Sequence, residues 1–155
     1  MVPATRLTAA DVGCWVIKSR STPTDVLPGW AAGETRRLSR CLRRTYRVEL
    51  MLPGQPCLLW LSGPEQPGVQ AIGRLAGEGR ERAEPDEAGR ESAVEVELRL
   101  LAEPVARAAL LADPVVSGAE VLRMPAGSNP SYLTTEVWAA LIEHIPPAER
   151  AAAGW

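Results

Sequence analysis

The chain predicts an α+β fold, a curved sheet with two or three flanking helices, and three observations lead there. Val94, Val96, Leu98 and Leu100 alternate with Glu95, Glu97 and Arg99, the two-residue period of a strand with one face against a core. The runs Cys14 to Lys18 and Cys57 to Leu61 are apolar on both faces, as strands enclosed within a sheet are. Val137, Trp138, Leu141, Ile142 and Ile145 fall on a single stripe at helical spacing.

At 155 residues, 46% of them hydrophobic, the chain reads as one domain that buries about two thirds of its unfolded surface. We expect that domain to span 12–146, with tails at 1–11 and 147–155. The absence of Phe, the single Lys18 and the abundance of Arg, Ala, Gly and Pro read as coding bias and carry no functional weight.

In chain order, the first strand is Cys14 to Lys18. Thr22-Pro23-Thr24-Asp25, Pro28-Gly29 and Gly33 then impose a loop with at most a short helical turn. The run Arg36 to Arg47 carries six arginines, and a helix there would align Arg36, Arg40, Arg43 and Arg47 along one face. Tyr46, Val48 and Leu50 alternate with Arg47 and Glu49 as in a half-buried strand. Pro53-Gly54-Gln55-Pro56 turns the chain into Cys57 to Leu61, and Pro67-Gly68 opens a strand over Val69 to Leu75. Gly73, inside that strand, marks a bulge or a close backbone approach.

Residues 77–92, rich in Glu, Arg, Gly and Ala and containing Pro85, read as an exposed, flexible loop within the domain. The alternation from Val94 follows, long enough for the curved strand of a barrel. A short helix over Val105 to Ala112 stops at Asp113-Pro114. Val115 to Met124 reads as irregular chain with one possible strand. Thr134 can cap the last helix, Glu136 suits its first turn, and Pro146-Pro147 ends it, leaving Ala148 to Trp155 as a loose tail.

Composition removes several function classes. Cys14, Cys41 and Cys57 are odd in number, widely spaced and without a CxxC pair, which argues against a disulfide framework or a zinc site and for reduced thiols in the cytoplasm. No apolar h-region precedes Cys14, and the longest apolar runs are too short to span a bilayer. The sole histidine, His144, sits in the last turn of a helix, where it commonly meets terminal carbonyls, so no Ser-His or Cys-His system is evident. Phosphate-binding glycine motifs are also missing. We therefore expect no catalytic residue, no metal and no cofactor.

Charge is unevenly spread. The net charge is −2, but residues 1–60 carry nine Lys or Arg against four Asp or Glu, and residues 61–155 carry eight against fifteen. The basic half holds Arg36, Arg37, Arg40, Arg43, Arg44 and Arg47, a candidate track for phosphates; a solvated arginine face is the structural alternative.

The order of several motifs resembles the EVE domain. These are Trp15-Val16-Ile17-Lys18-Ser19, Trp30, Tyr46-Arg47 with Pro53-Gly54, Leu59-Trp60-Leu61-Ser62-Gly63, Gly68-Val69-Gln70-Ala71-Ile72-Gly73 and Tyr132-Leu133-Thr134-Thr135-Glu136-Val137-Trp138. The resemblance covers roughly residues 12–146, and the opening strand is also similar to that of YTH domains. It departs from the EVE pattern at Gly54-Gln55, where Gly-Asp is frequent, and at Trp60-Leu61, where an aromatic followed by His often precedes the serine.

The resemblance implies a PUA-like curved β-barrel of about five or six strands with flanking helices. It also implies binding of DNA or RNA that carries a modified base, such as methylated or hydroxymethylated cytosine or methyladenine, in an aromatic-lined pocket. Carried over, Lys18 and Ser19 border that pocket, Trp30 is its stacking wall, and Trp60 and Ser62 end its central strand. Ser128, Asn129 and Ser131 close it, and the Asn129 amide can both donate to and accept from a base edge. Trp15 and Trp138 are expected in the core. The alternative is a module for small molecules or peptides that keeps the barrel without binding nucleic acid, which the acidic total suits; a nucleotide hydrolase ranks last.

Overall fold

A computed structural model of the chain describes residues 6–86 and 89–155. Seven strands form a single sheet: β1 (Cys14–Ser19), β2 (Thr35–Leu42), β3 (Pro56–Leu61), β4 (Gly68–Leu75), β5 (Arg80–Glu81), β6 (Ser92–Ala106) and β7 (Ser131–Leu133). Their order is β2-β6-β4-β3-β1-β7, with β5 paired to the start of β6. β1 and β3 run parallel, and every other pair is antiparallel. The helices are α1 (Pro23–Val26), α2 (Arg107–Leu111), α3 (Glu120–Arg123), α4 (Thr135–Ile142) and α5 (Pro147–Ala152).

The two faces of the sheet carry two cores, as strand alternation requires. Cys14, Val16, Leu58, Trp60 and Ile72 point to one, which the helical segments from α2 to α4 cover with Leu110, Val121 and Leu141. Trp15, Ile17, Leu59, Leu98, Trp30 and Leu42 fill the other. All six residues of β1 are buried, because β3 and β7 flank it and both faces are covered. Full burial of a side chain such as Ile17 or Leu58 stabilises by roughly 1.5–3 kcal/mol. At Gly73 β4 lies close against β6: a Cβ there would lie 1.8 Å from the Glu97 carbonyl oxygen.

The expected barrel is not closed. Among the described residues β2 and β7 are the two edges, and no ladder joins them. Polar contacts span the seam instead. The Arg43 N–H donates to the Asn129 carbonyl at 3.0 Å, directly linking the ends of the two edge strands. Arg47 donates through both terminal nitrogens to Glu120 at 2.8 Å each, and also to the Pro130 carbonyl at 3.2 Å. The Ser131 hydroxyl donates to Glu120 at 2.8 Å, and the Arg47 guanidinium lies 5.2 Å from the centre of the Tyr132 ring. These hydrogen bonds hold the Glu120 carboxyl below its usual range and raise the Arg47 guanidinium.

Several sequence expectations change here. The first half of the arginine run lies on the edge strand β2, not a helix, so Arg36 and Arg40 share one face while Arg37 points to the other; Arg43 and Arg44 follow the strand and Arg47 is in the next turn. An i, i+4 spacing satisfies a period of two as well as a helix, and Leu38 and Leu42 supply the buried phase. Tyr46–Leu50 is a 3₁₀ turn in place of a strand, started by the Thr45 hydroxyl accepting from the Arg47 N–H. Within Val115 to Met124 there is a 3₁₀ turn and α3 but no strand. Part of the 77–92 segment is ordered as β5 against β6; Glu87 and Ala88 lie outside the described residues.

The C-terminal segment is not loose. α5 brings Glu149 to Arg99 at 2.9 Å, Trp155 packs edge-on against Trp138, and its indole N–H donates to the Gly73 carbonyl at 2.8 Å. Leu7, at the other end, is buried and donates its N–H to the Tyr46 hydroxyl. α4 and its Thr134 cap form as the sequence predicts. His144, at its end, pairs with Asp113 at 2.8 Å rather than with helix carbonyls.

Two outcomes are expected. Trp155→Ala removes the indole–Trp138 packing and the Gly73 bond, and lowers unfolding free energy by about 2 kcal/mol in urea denaturation; an unchanged midpoint would show that the segment contributes nothing. Glu120→Gln leaves Arg47 half-answered and costs about 2 kcal/mol. Because folding lowers the Glu120 pKa, its contribution is present above the ordinary carboxylate range and is lost as pH falls through the lowered value. Thermal melts from neutral to acid pH should therefore show a shallower acid-side decline in the Gln variant than in the parent.

Candidate base pocket and nucleic-acid interface

The parallel pair β1 and β3 ends at one place, where the Ser62 N–H donates to the Ser19 carbonyl at 2.8 Å. Lys18 stands opposite Trp60 in the ladder, so their side chains share a face. Past these strand ends lies a cavity of about 190 Å³ lined by Trp60, Ser62, Gly63, Pro67, Arg107 and Pro125. Trp60 is held by the core and Ser62 by the ladder, so the aromatic wall and the hydroxyl sit on rigid elements.

Lys18 approaches the same wall from behind. Its side chain is buried among the strands, and its Nζ donates to the Pro125 carbonyl at 3.3 Å. Burial lowers its pKa, Glu120 opposes that shift, and Arg43 and Arg47 add to it. Asn129 fixes the adjoining loop: its Oδ1 accepts from the Lys18 N–H at 3.0 Å, and its Nδ2 donates to the Lys18 carbonyl at 3.2 Å. The amide thus completes the free edge of β1 as another strand would.

The structure brings Trp60 and Ser62 together in the cavity, with Lys18 and Asn129 in the layer supporting it. Ser19 is turned to its own loop, donating to the Ser21 carbonyl and accepting from the Ser21 N–H. Ser131 is bonded to Glu120, and Ser128 sits half-buried in the bend before Asn129. Trp30 is the main correction. It belongs to the core on the opposite face and donates its indole N–H to the Glu34 carbonyl at 2.8 Å, so it does not reach the cavity; Trp60 is equally buried, at 3% exposed, and borders the cavity only through that small remainder.

The arginines divide by their partners. Arg36 pairs with Glu34, Arg44 with Glu81 and Glu91, and Arg47 with Glu120. Arg37 and Arg43 are exposed and, among the described residues, carry no carboxylate partner; the Arg40 Nε is buried without a hydrogen bond. Sequence reasoning missed Arg107 and Pro125, which are distant along the chain from Trp60 and belong to no motif. Only the folded arrangement of α2 and the loop before β7 reveals them.

Among the described residues there is no cluster of side chains that could hold a metal, and no helix is long and apolar enough to cross a membrane.

No family model matches the chain, and no curated protein sequence does. Solved structures do resemble it. A protein from Pseudomonas syringae aligns over 84% of this chain and 97% of its own, with 15% identity and a TM-score of 0.64. One from Rhodopseudomonas palustris aligns over 86% and 92%, with 20% identity and a TM-score of 0.62. The DUF55 domain of human thymocyte nuclear protein 1 aligns over 84% and 96%, with 14% identity and a TM-score of 0.55. The chain shares the fold of these proteins.

Proposed function

We propose that the chain is a non-catalytic nucleic-acid-binding domain that takes a modified base into the cavity beside Trp60 and Ser62. The observation that carries this reading is the cavity itself, bordered by Trp60 and by a Ser62 hydroxyl unpaired among the described residues, at the carboxyl ends of the parallel strands. Its volume of about 190 Å³ is smaller than the ~300 Å³ and upward of pockets that enclose drug-sized ligands, and suits one ring rather than a whole nucleotide. The EVE-like order of motifs and the PUA-like fold support the same reading.

A base entering the cavity must leave its stack, at a cost of a few kcal/mol when it is paired. Trp60, 3% exposed, presents too little of its ring for the full ~1–3 kcal/mol of base stacking, so polar contacts must supply the balance. Ser62 offers a hydroxyl that can donate or accept, while Lys18 and Asn129 keep the strand end and its loop in place. Arg37 and Arg43, both exposed, are the cations we assign to phosphates, because Arg36, Arg44 and Arg47 already face carboxylates and Arg40 lies on the Leu42 face of β2 with its Nε buried.

Two measurements test this. In fluorescence anisotropy with DNA and RNA oligonucleotides, Arg37→Ala/Arg43→Ala should weaken binding similarly for all sequences and reduce the slope of log K against log salt by about 2. Ser62→Ala should instead leave that slope intact and shrink the preference for the modified base, by about tenfold. Absence of salt-sensitive binding by the folded parent chain would turn the assignment to the small-molecule or peptide module.

A further inference from the structure

Arg107 is the unexplained member of the cavity wall. It is half-buried, yet among the described residues its guanidinium meets neither a carboxylate nor a hydrogen-bond acceptor. Arg47, Arg90 and Arg99, also partly buried, are answered by Glu120, Asp86 and Glu149; Arg40, like Arg107, has no carboxylate partner among the described residues, but it lies on β2 and lines neither cavity described. The rest of the lining, Trp60, Ser62, Gly63, Pro67 and Pro125, contains no acid, and the Ser62 hydroxyl is likewise unpaired. Lys18 adds a second positive charge behind the wall through its bond to Pro125. A larger cavity, about 420 Å³ beside Tyr46, offers no such imbalance, since Arg44 there pairs with Glu81 and Arg80 with Glu95.

We propose that the cavity beside Trp60 selects a flat heteroaromatic ring bearing a carboxylate, so that a carboxylated cytosine is preferred over a methylated one. This rests on the base-reading function for its polymer context, but the selectivity follows from the donors themselves. A guanidinium meets a carboxylate through two parallel N–H···O bonds, whereas a methylated ring entering the same space would strip water from Arg107 and return nothing. Sites built to pair a buried polar group reject ligands that leave it unpaired more strongly than apolar pockets reject a missing methyl.

The test compares oligonucleotides carrying one 5-carboxycytosine, one 5-methylcytosine or cytosine alone, in DNA and in RNA, with free 5-carboxycytosine nucleoside titrated separately by NMR. Parent chain, Arg107→Ala and Arg107→Lys are used, each shown to be folded by its thermal melt. The carboxylated strand should bind the parent about tenfold or more tightly than the methylated one. Arg107→Ala should abolish that ratio, and Arg107→Lys should keep part of it. Equal or reversed preference in the parent overturns the carboxylate selectivity and leaves the base-reading function standing. Binding of the free nucleoside that depends on Arg107, without binding of any strand, overturns base reading and upholds the selectivity; binding of neither overturns both.

Discussion

The seam between β2 and β7 is where this sheet had either to close as a barrel or to be held by other means, and it is held by an ion pair and an amide. Arg47, arriving from the 3₁₀ turn after β2, grips Glu120 of α3, and Glu120 also accepts from Ser131 of β7. Asn129 meanwhile bonds both the N–H and the carbonyl of Lys18. Buried polar groups in this position must be satisfied together, since stranding any one leaves its partner's charge unanswered. The cluster therefore ties three distant stretches of chain, near 47, 120 and 130, to one edge of the sheet.

That constraint shapes the candidate site. With the loop before β7 fixed against β1, Pro125 is carried over the ends of β1 and β3, where it receives the Lys18 ammonium and roofs the cavity beside Trp60. Pairing of Gly68 with Ala106 at the end of the β4–β6 ladder, and the Arg107 N–H bond to the Pro67 carbonyl at 2.8 Å, bring Arg107 to the other side. The cavity is thus a product of the sheet's parallel pair, at which two strands finish together. Groups placed there stand on a rigid frame, which lowers the ordering cost of binding.

The distribution of charge has a similar origin. Six arginines close in sequence suggest one basic track, but alternation along β2 sends Arg37 to the face opposite Arg36 and Arg40, and the 3₁₀ turn swings Arg47 inward to Glu120. Arg44 meets Glu81 and Glu91 on the segment leading into β6. The acidic second half of the chain therefore neutralises part of the basic first half, leaving Arg37 and Arg43 exposed without carboxylate partners among the described residues.

Local pattern alone determined the buried strands β1, β3, β4 and β6, the helix α4 with its Thr134 cap, and the association of Trp60 and Ser62 at a strand end. In each, apolar periodicity or a capping hydroxyl acts within a few residues. The tertiary structure decided the rest. It put Trp30 on the face opposite the cavity, because a loop tryptophan finds its burial wherever long-range packing leaves room. It turned the segment after Pro146 into α5 through Arg99, Trp138 and Gly73, partners at least a dozen residues away in sequence. It also chose which arginines remain unpaired, since an arginine's availability depends on the carboxylate that folding brings to it, and no local spacing records that distance.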